Sequence, residues 1–261
     1  MSVFSEALAY ERFMGRWSRA LAPLLVRFAG VRDREAVLDV GSGTGAVAAA
    51  VLHAAPSARV TGIDQSAAYV SLAQSRYGSP GVTFEVLDAQ QLRFEAASFD
   101  RTLSLVVLNF IPDVRKALAE MARVTRPQGT IAAAVWDYGD GMEMLRAFWD
   151  EAVGLRPADT LKDERHMKLC RRGELATLWR DQGLQDVAEE TLTIETRFAS
   201  FDDYWSPFLD GQGPAGAYTA SLAPDHREAL RMRLRNRLVG DGPDGQITMH
   251  ARAWAARGRV P

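Results

Sequence analysis

The chain has 261 residues, with 31 basic against 33 acidic side chains, a formal charge of −2, and 47% hydrophobic residues. This is ordinary globular usage and excludes disordered, collagen-like and disulfide-rich classes. One cysteine, Cys170, and four scattered histidines (His53, His166, His226, His250) offer neither a disulfide nor paired metal-ligand spacing. The near-zero charge argues against a general phosphate-backbone binder. The opening MSVFSE lacks a basic n-region before an apolar run, and the longest apolar stretch, Leu103 to Ile111, is too short for a membrane span. No metal, nucleic-acid or membrane partner is therefore expected, and a cytoplasmic location is. Lys116, Lys162 and Lys168 are the only lysines, so nearly all positive charge is arginine.

Residues 5–29 read as helical, with Leu21, Leu24, Leu25 and Phe28 on one face and Pro23 as an interruption or restart. From 36 to about 135 short aliphatic runs alternate with helical segments. Strands are expected at Ala36–Val40, Arg59–Ile63, Val82–Leu87, Arg101–Leu108 and Thr130–Val135, and helices at Ala46–Ala54, Ala67–Tyr77 and Val114–Val124. Strict alternation predicts right-handed βαβ units, and the continuous apolar runs fit strands buried on both faces. The second half changes character. Helices are expected at 140–155 and about 173–182, the latter ending at Gly183. Strands are expected at 187–197 and 246–257, with helical, aromatic-rich sequence over 198–239. Gly211, Gly213 and Gly216 read as a loop. The reading is one domain: a helical segment 1–30, a core of 31–197 and 240–261, and a helical cap inserted over 198–239.

Three strand ends carry chemistry. The first strand runs into Gly41-Ser-Gly43-Thr-Gly45 and a helix follows at once, an arrangement that lets a ligand approach the backbone and helix N-terminal amides. Asp64 ends the second strand, 19 residues after Gly45, where a carboxylate can accept both ribose hydroxyls; the competing reading is a helix cap at Asp64–Ser66. Asp88 and Ala89 follow the third strand, where a carboxylate and a backbone amide can read an adenine edge; aspartate at a strand end is also a common turn former.

In this order and spacing the three elements resemble the class I S-adenosylmethionine-dependent methyltransferases, most closely the type 11, ubiquinone/menaquinone-biosynthesis-like group. The resemblance covers residues 36–136 and extends to the leader segment Tyr10-Glu-Arg-Phe-Met-Gly-Arg-Trp17. It implies S-adenosyl-L-methionine as cofactor, with Gly41, Ser42 and Gly43 along the methionine moiety, Asp64 on the ribose with Gln65 beside it, and Asp88 and Ala89 on the adenine. It further implies that Leu105 contacts the cofactor near its sulfonium and that Tyr10 and Arg16 close over the methionyl end. The implied fold is α/β, a Rossmann-like seven-stranded sheet of order 3-2-1-4-5-7-6 with the last strand antiparallel, helices on both faces and a helical cap.

Gly41-Ser-Gly-Thr-Gly-Ala46 also satisfies the looser G-x-G-x-x-A nicotinamide fingerprint, and Asp64 suits an NAD ribose. Asp39 just before the glycines and Asp88 after the third strand favour the methyltransferase pattern instead. A non-catalytic S-adenosylmethionine-binding protein is a further alternative. Asn109-Phe-Ile-Pro112-Asp superficially resembles the Asn/Asp-Pro-Pro-aromatic motif of amino-group methyltransferases, but Phe110 and Ile111 replace the prolines, and Pro112-Asp113 also suits a helix start. The expected acceptor is a small molecule, with Asn109, Trp136, Tyr204, Trp205 and Tyr218 as candidate pocket residues. For the aromatics, fastening the cap to the core is the alternative. The arginines between His226 and Arg237 read as a solvated face. No catalytic base or triad is evident. In-line methyl transfer rests mainly on positioning and water exclusion.

Overall fold

The computed structural model describes residues 3–261, and side chains from residue 7 onward. In chain order the elements are α1 (Val3–Tyr10), a π-helical turn over Glu11–Gly15, α2 (Arg16–Ala29), β1 (Ala36–Val40), α3 (Ala46–Ala54), β2 (Arg59–Asp64), α4 (Ala67–Tyr77), β3 (Val82–Val86) and β4 (Phe99–Leu105). They continue with α5 (Val114–Val124), β5 (Thr125–Trp136), α6 (Glu143–Leu155), α7 (Glu174–Asp181), β6 (Gln185–Phe198), α8 (Phe201–Trp205), α9 (Gly213–Ser221), α10 (Pro224–Leu238) and β7 (Ile247–Arg259).

The seven strands form one sheet of order β3-β2-β1-β4-β5-β7-β6. Strands β3, β2, β1, β4 and β5 pair in parallel. β7 runs the other way beside β5: Gln128 N–H donates to Val260 O (2.9 Å) near the start of β5, and Asp137 N–H donates to Arg252 O (2.9 Å) just past its end. Because β1 lies between β2 and β4, strand order reverses there. In open α/β sheets the crevice beyond the strand C-termini at such a reversal is the usual ligand position.

The chain divides into two compact units, one of Met1–Val135, Arg171–Leu192 and Trp254–Pro261, the other of Trp136–Cys170 and Thr193–Ala253. In the first, α2 packs on α3 and α1 on α4. Helix α2 passes Pro23 without a break. The opposite face of α2 buries Leu21, Ala22, Leu25 and Val26, while Pro23 is exposed, so apolar packing outweighs the lost hydrogen bond. The irregularity falls earlier, at the Glu11–Gly15 π turn. Arg101 on β4 holds the other end of α2. Its Nε and Nη2 reach Glu35 Oε2 and Oε1 at 2.6 and 3.0 Å, and its Nη1 donates to Ala29 O in the last turn of α2.

Strand β4 ends three residues before the apolar run does, because Val106 adopts φ 54° and Leu108–Phe110 form a 3₁₀ turn. β5 begins five residues earlier than its apolar run, with an irregular register between Phe99 and Arg101 of its neighbour β4. Helix α7 does end before a left-handed Gly183 (φ 78°), whose N–H donates to Arg180 O.

The second unit has its own aromatic core. Phe148 stacks on Phe208 with centroids 4.5 Å apart, and Trp149 and Tyr218 meet at 5.2 Å. Gly213 and Gly216 belong to α9 instead of a loop. A Cβ on Gly216 would lie 2.9 Å from the Gly211 carbonyl carbon, so close backbone approach selects glycine there. The arginines of α10 form ion pairs: Arg233 Nε with Glu151 Oε2 (2.8 Å) and Arg237 Nη2 with Asp150 Oδ2 (3.0 Å), both acids on α6.

Replacing Arg101 by methionine keeps its stem packing but leaves the Ala29 carbonyl without its partner and Glu35 without its guanidinium, the Arg32 amide remaining on Oε2. We expect a loss of about 2–4 kcal/mol in chemical denaturation, with less loss when Glu35 is also made methionine. A cost below about 0.5 kcal/mol, the value of a surface pair, would show that this contact does not anchor α2.

Candidate functional site

The site begins at the turn after β1. The amides of Gly41 and Ser42 both donate to Ile63 O at 2.8 Å, which folds the chain sharply over β2. Gly41 has φ 74°, and a Cβ there would lie 2.5 Å from both Val107 γ-carbons. Glycine at 41 thus meets both a backbone and a packing demand. Gly43 N–H donates to Asp64 Oδ2 and Ser66 N–H to Asp64 Oδ1, each at 2.9 Å. The helix cap is Ser66, whose Oγ accepts from Tyr69 N–H, so Asp64 is not the cap. The Asp64 carboxylate instead joins the glycine turn to the end of β2 while facing a cleft. Burial raises its pKa, against the pull of the Ser66, Gly43 and Gln65 amides.

Three adjoining hollows follow the strand ends. An apolar one, about 140 Å³, is lined by Gly41, Ile63, Asp64, Gln65, Leu87, Ala89, Val107 and the segment Phe110–Pro112. A smaller one of about 20 Å³ is lined by Tyr10, Ser18, Gly41–Thr44, Ala46, Val47 and Leu105. A polar one of about 270 Å³ lies around Asp88, Gln91 and Arg93 and shares Gln65 and Leu87 with the first. The first two share Gly41. Thus Gly41, Ser42, Gly43, Asp64, Gln65, Asp88, Ala89, Leu105 and Tyr10 each line one of three hollows that adjoin through shared residues.

Ser42, in the lining of the small hollow, and Asp39, on β1, carry buried polar atoms without partners. Among the described residues, neither Asp39 carboxylate oxygen nor Ser42 Oγ has a hydrogen-bond partner. Burial, reinforced by the nearby Asp64 charge, pushes the Asp39 carboxyl up to about 8, with only the Ala48 amide of α3 drawing it down. Asp39 is therefore mainly protonated at neutral pH. Tyr10 packs its ring 5.1 Å from that of Tyr69, with its hydroxyl 3.2 Å from Ser18 Oγ. Arg16 lies over the Trp17 ring at 4.3 Å and is not among the residues lining the hollow.

The N-terminal helix is attached to the glycine turn by Glu11. Thr44 Oγ1 donates to Glu11 Oε1, and Arg19 and Arg76 pair with Oε2, the latter at 3.0 Å. Burial pushes the Glu11 pKa up, but Thr44, Arg76 and Arg19 outweigh it and leave the pKa lowered. Nothing in the sequence pattern singled out Glu11; the contact spans 33 residues.

Gln90 was likewise inconspicuous in sequence. Its backbone N–H donates to Asp88 Oδ1 at 2.8 Å, and its Nε2 reaches both Asp88 oxygens at 3.1 and 3.2 Å. Asp88 is held below the usual carboxylate range, first by the Gln90 backbone amide and then by its side chain, with Gln65 adding a further hydrogen bond.

Asn109 is buried within the 3₁₀ turn after β4, and its neighbours Phe110, Ile111 and Pro112 line the cleft. Asp113, the next residue, caps α5 through Lys116 N–H at 3.0 Å. Tyr204, Trp205 and Tyr218 lie in the core of the second unit. Tyr204 Oη donates to Met144 O at 2.9 Å and Tyr218 Oη to Asp159 Oδ2 at 3.1 Å. Burial, with Asp159 beside it, pushes the Tyr218 hydroxyl up to about 12. These contacts are what packing aromatics make. Trp136, also in that unit, is buried with its indole N–H unpartnered among the described residues. Among those residues no cluster of three or more His, Cys, Asp or Glu is poised to hold a metal, and no helix is long and apolar enough to cross a membrane.

Comparison with known proteins finds similarity over part of the chain. Residues 38–133 match the family described as "Methyltransferase domain". An uncharacterized protein of Mycobacterium tuberculosis is 34% identical over 118 residues, covering 44% of this chain and 42% of that one. The ubiquinone/menaquinone biosynthesis C-methyltransferase of Desulfotalea psychrophila is 34% identical over 114 residues, covering 44% and 45%. The chain therefore spans under half the length of these curated relatives. Among solved structures, a chain from the Haloferax volcanii complex of the Trm112 methyltransferase activator with a methyltransferase superposes with TM-score 0.60 at 22% identity, over 98% of this chain and 97% of that one.

Asp39 supplies a test of the site's electrostatics. A carboxyl with a folded pKa near 8 and an unfolded one near 4 keeps its proton longer in the native state, so stability falls as pH rises through that window. Asp39→Asn removes this dependence. The melting-temperature advantage of the variant over wild type is expected to widen from pH 5 to pH 8; parallel profiles would show that Asp39 ionises normally.

Proposed function

We propose that the chain, whose residues 38–133 match the family described as "Methyltransferase domain", transfers a methyl group from S-adenosylmethionine to a small-molecule acceptor. The observation that carries this reading is that the glycine turn, Ser42 and Asp64 line adjoining hollows at the sheet's reversal point.

The residues fit the cofactor. A Cβ on Gly43 would meet nothing nearer than Tyr10 Cε1 at 4.0 Å, so the cradle is open above the backbone. Ser42 Oγ, in the lining of the small hollow and without a hydrogen-bond partner among the described residues, suits the polar methionyl end. Asp64 keeps a lone pair for the ribose hydroxyls because a carboxylate accepts about four hydrogen bonds and the backbone amides of Gly43, Gln65 and Ser66 do not fill it. Ile63, Leu87, Val107 and Ile111 provide apolar walls for a base, with Ala89 at one side. When bound, the cofactor supplies an electrophilic methyl group on a sulfonium sulfur.

The chain's own contribution is positional. Glu11 holds the N-terminal helix on the glycine turn, Tyr10 closes the small hollow, and Leu105 gives it an apolar wall. Such walls exclude water from a displacement that needs no protein nucleophile. A small-molecule acceptor is supported by the near-neutral net charge and by arginines that are paired with acids within the second unit. Asn109 is the acceptor contact we favour, beside the cleft-lining Phe110–Pro112; Tyr204, Trp205 and Tyr218 act through packing within the second unit.

Titration calorimetry with S-adenosylhomocysteine is expected to show binding that Asp64→Ala weakens about tenfold or more, through loss of charge-assisted hydrogen bonds. Unchanged affinity would remove Asp64 from the ribose site, and binding of NADH instead would favour a dehydrogenase. With methyl-labelled S-adenosylmethionine and a cell extract, label is expected in the small-molecule fraction. Label in protein or nucleic acid would overturn the acceptor class.

A further inference from the structure

The end of β3 and the start of α5 are joined by a single side chain. The Gln90 carboxamide chelates the Asp88 carboxylate through Nε2 (3.1 and 3.2 Å) and accepts Asp113 N–H at its Oε1 (3.0 Å). The Asp113 amide can only donate, so Oε1 must face it and Nε2 must face Asp88; the orientation of the carboxamide is fixed by chemistry. Immediately before Asp113 stand Phe110, Ile111 and Pro112, which line the cleft opposite Leu87 and Ala89. Gln90 therefore sets both the direction of Asp88 and the separation of two cleft walls.

We propose that Gln90 is the positioning residue that gives this cleft its preference for adenine, by aiming the Asp88 carboxylate at an exocyclic amine. The proposal rests on the cofactor reading above. An ionised carboxylate only accepts hydrogen bonds, so it favours a base bearing an amine and disfavours one bearing a carbonyl at the same place. Gln90 keeps it ionised and oriented: its backbone N–H and its Nε2, with Gln65 adding a further hydrogen bond, hold the carboxylate oxygens and leave the remaining lone pairs for the ligand. Glutamate would place an anionic oxygen against Asp88, and a leucine side chain, of similar shape, would bond neither Asp88 nor Asp113, leaving only the backbone N–H of residue 90 on Asp88 Oδ1.

The test compares S-adenosylhomocysteine with S-inosylhomocysteine, which carries a carbonyl in place of the exocyclic amine, by calorimetry on the full chain. Wild type is expected to favour the adenosine ligand by roughly tenfold or more, since a site built for a donor rejects its replacement by an acceptor. Gln90→Leu and Gln90→Glu are each expected to cut that ratio about three- to tenfold, while inosine-ligand affinity stays within about twofold. In an Asp88→Ala background, Gln90→Leu is expected to change the ratio no further, because the two residues act as one unit. Equal loss of both ligands in the Gln90 variants, or no preference in wild type, would overturn the proposal and leave Gln90 a structural tie. Failure of wild type to bind either ligand would instead overturn the cofactor reading. Melting temperatures within a few degrees of wild type identify which variants report on binding; should Gln90→Leu fall outside, Gln90→Glu, which retains the acceptor for Asp113, decides.

Discussion

Much of this site depends on one carbonyl group. Ile63 O, at the end of β2, accepts the amides of both Gly41 and Ser42 and so fixes the reversal of the chain after β1. That reversal brings Gly43 N–H onto Asp64 and puts the Gly41 α-carbon where Val107 can pack on it. A side chain at 41 would collide with Val107 and oppose the positive φ, so loop, cleft and β4 extension are coupled through an absence of atoms. The same turn starts α3, leaving helix N-terminal amides above the buried end of β1.

The opposite wall of the cleft carries backbone strain. Val106 holds φ 54°, a conformation disfavoured for a β-branched residue, and its N–H donates to Ala134 O at 2.7 Å. That bond keeps Val106 tied to β5 while the chain leaves the sheet, directing Val107 inward and Phe110–Pro112 along the cleft. Buried ionisable groups add a second cost. Asp39 is unpaired at the base of the region, and Glu164, in the other unit, is raised to about 7 by burial despite an indole donor from Trp149 at 2.7 Å. Glu164 lies in a network where Asp163 pairs with Arg146, so its burial has a structural explanation that Asp39 lacks.

The strand–helix alternation was legible because buried parallel strands are apolar throughout and their helices are amphipathic. Boundaries were less so. Apolar character continues past Leu105, but pairing ends there because Val106 leaves the extended region, and no hydropathy pattern marks such a change. Pro23 reads as a break and is not one, since the buried face of α2 decides the outcome. The arginine bias also gains its meaning in space: Arg233 and Arg237 meet Glu151 and Asp150 more than eighty residues away.

The sequence by itself determined the fold class, the sheet order through family resemblance, and the three strand ends that carry Gly41–Gly45, Asp64 and Asp88, because each is a local pattern in which residue type and spacing are the physical requirement. Only the tertiary structure decided which side chains hold those patterns in working order. Glu11 reaches Thr44 across 33 residues and Gln90 reaches Asp113 across 23, and both are polar residues of common type whose significance comes from a partner brought near by the sheet. The structure likewise separated Ser66 as the helix cap from Asp64 as the cleft carboxylate, since a hydrogen bond's direction, unlike a motif's spacing, exists only once the chain is folded.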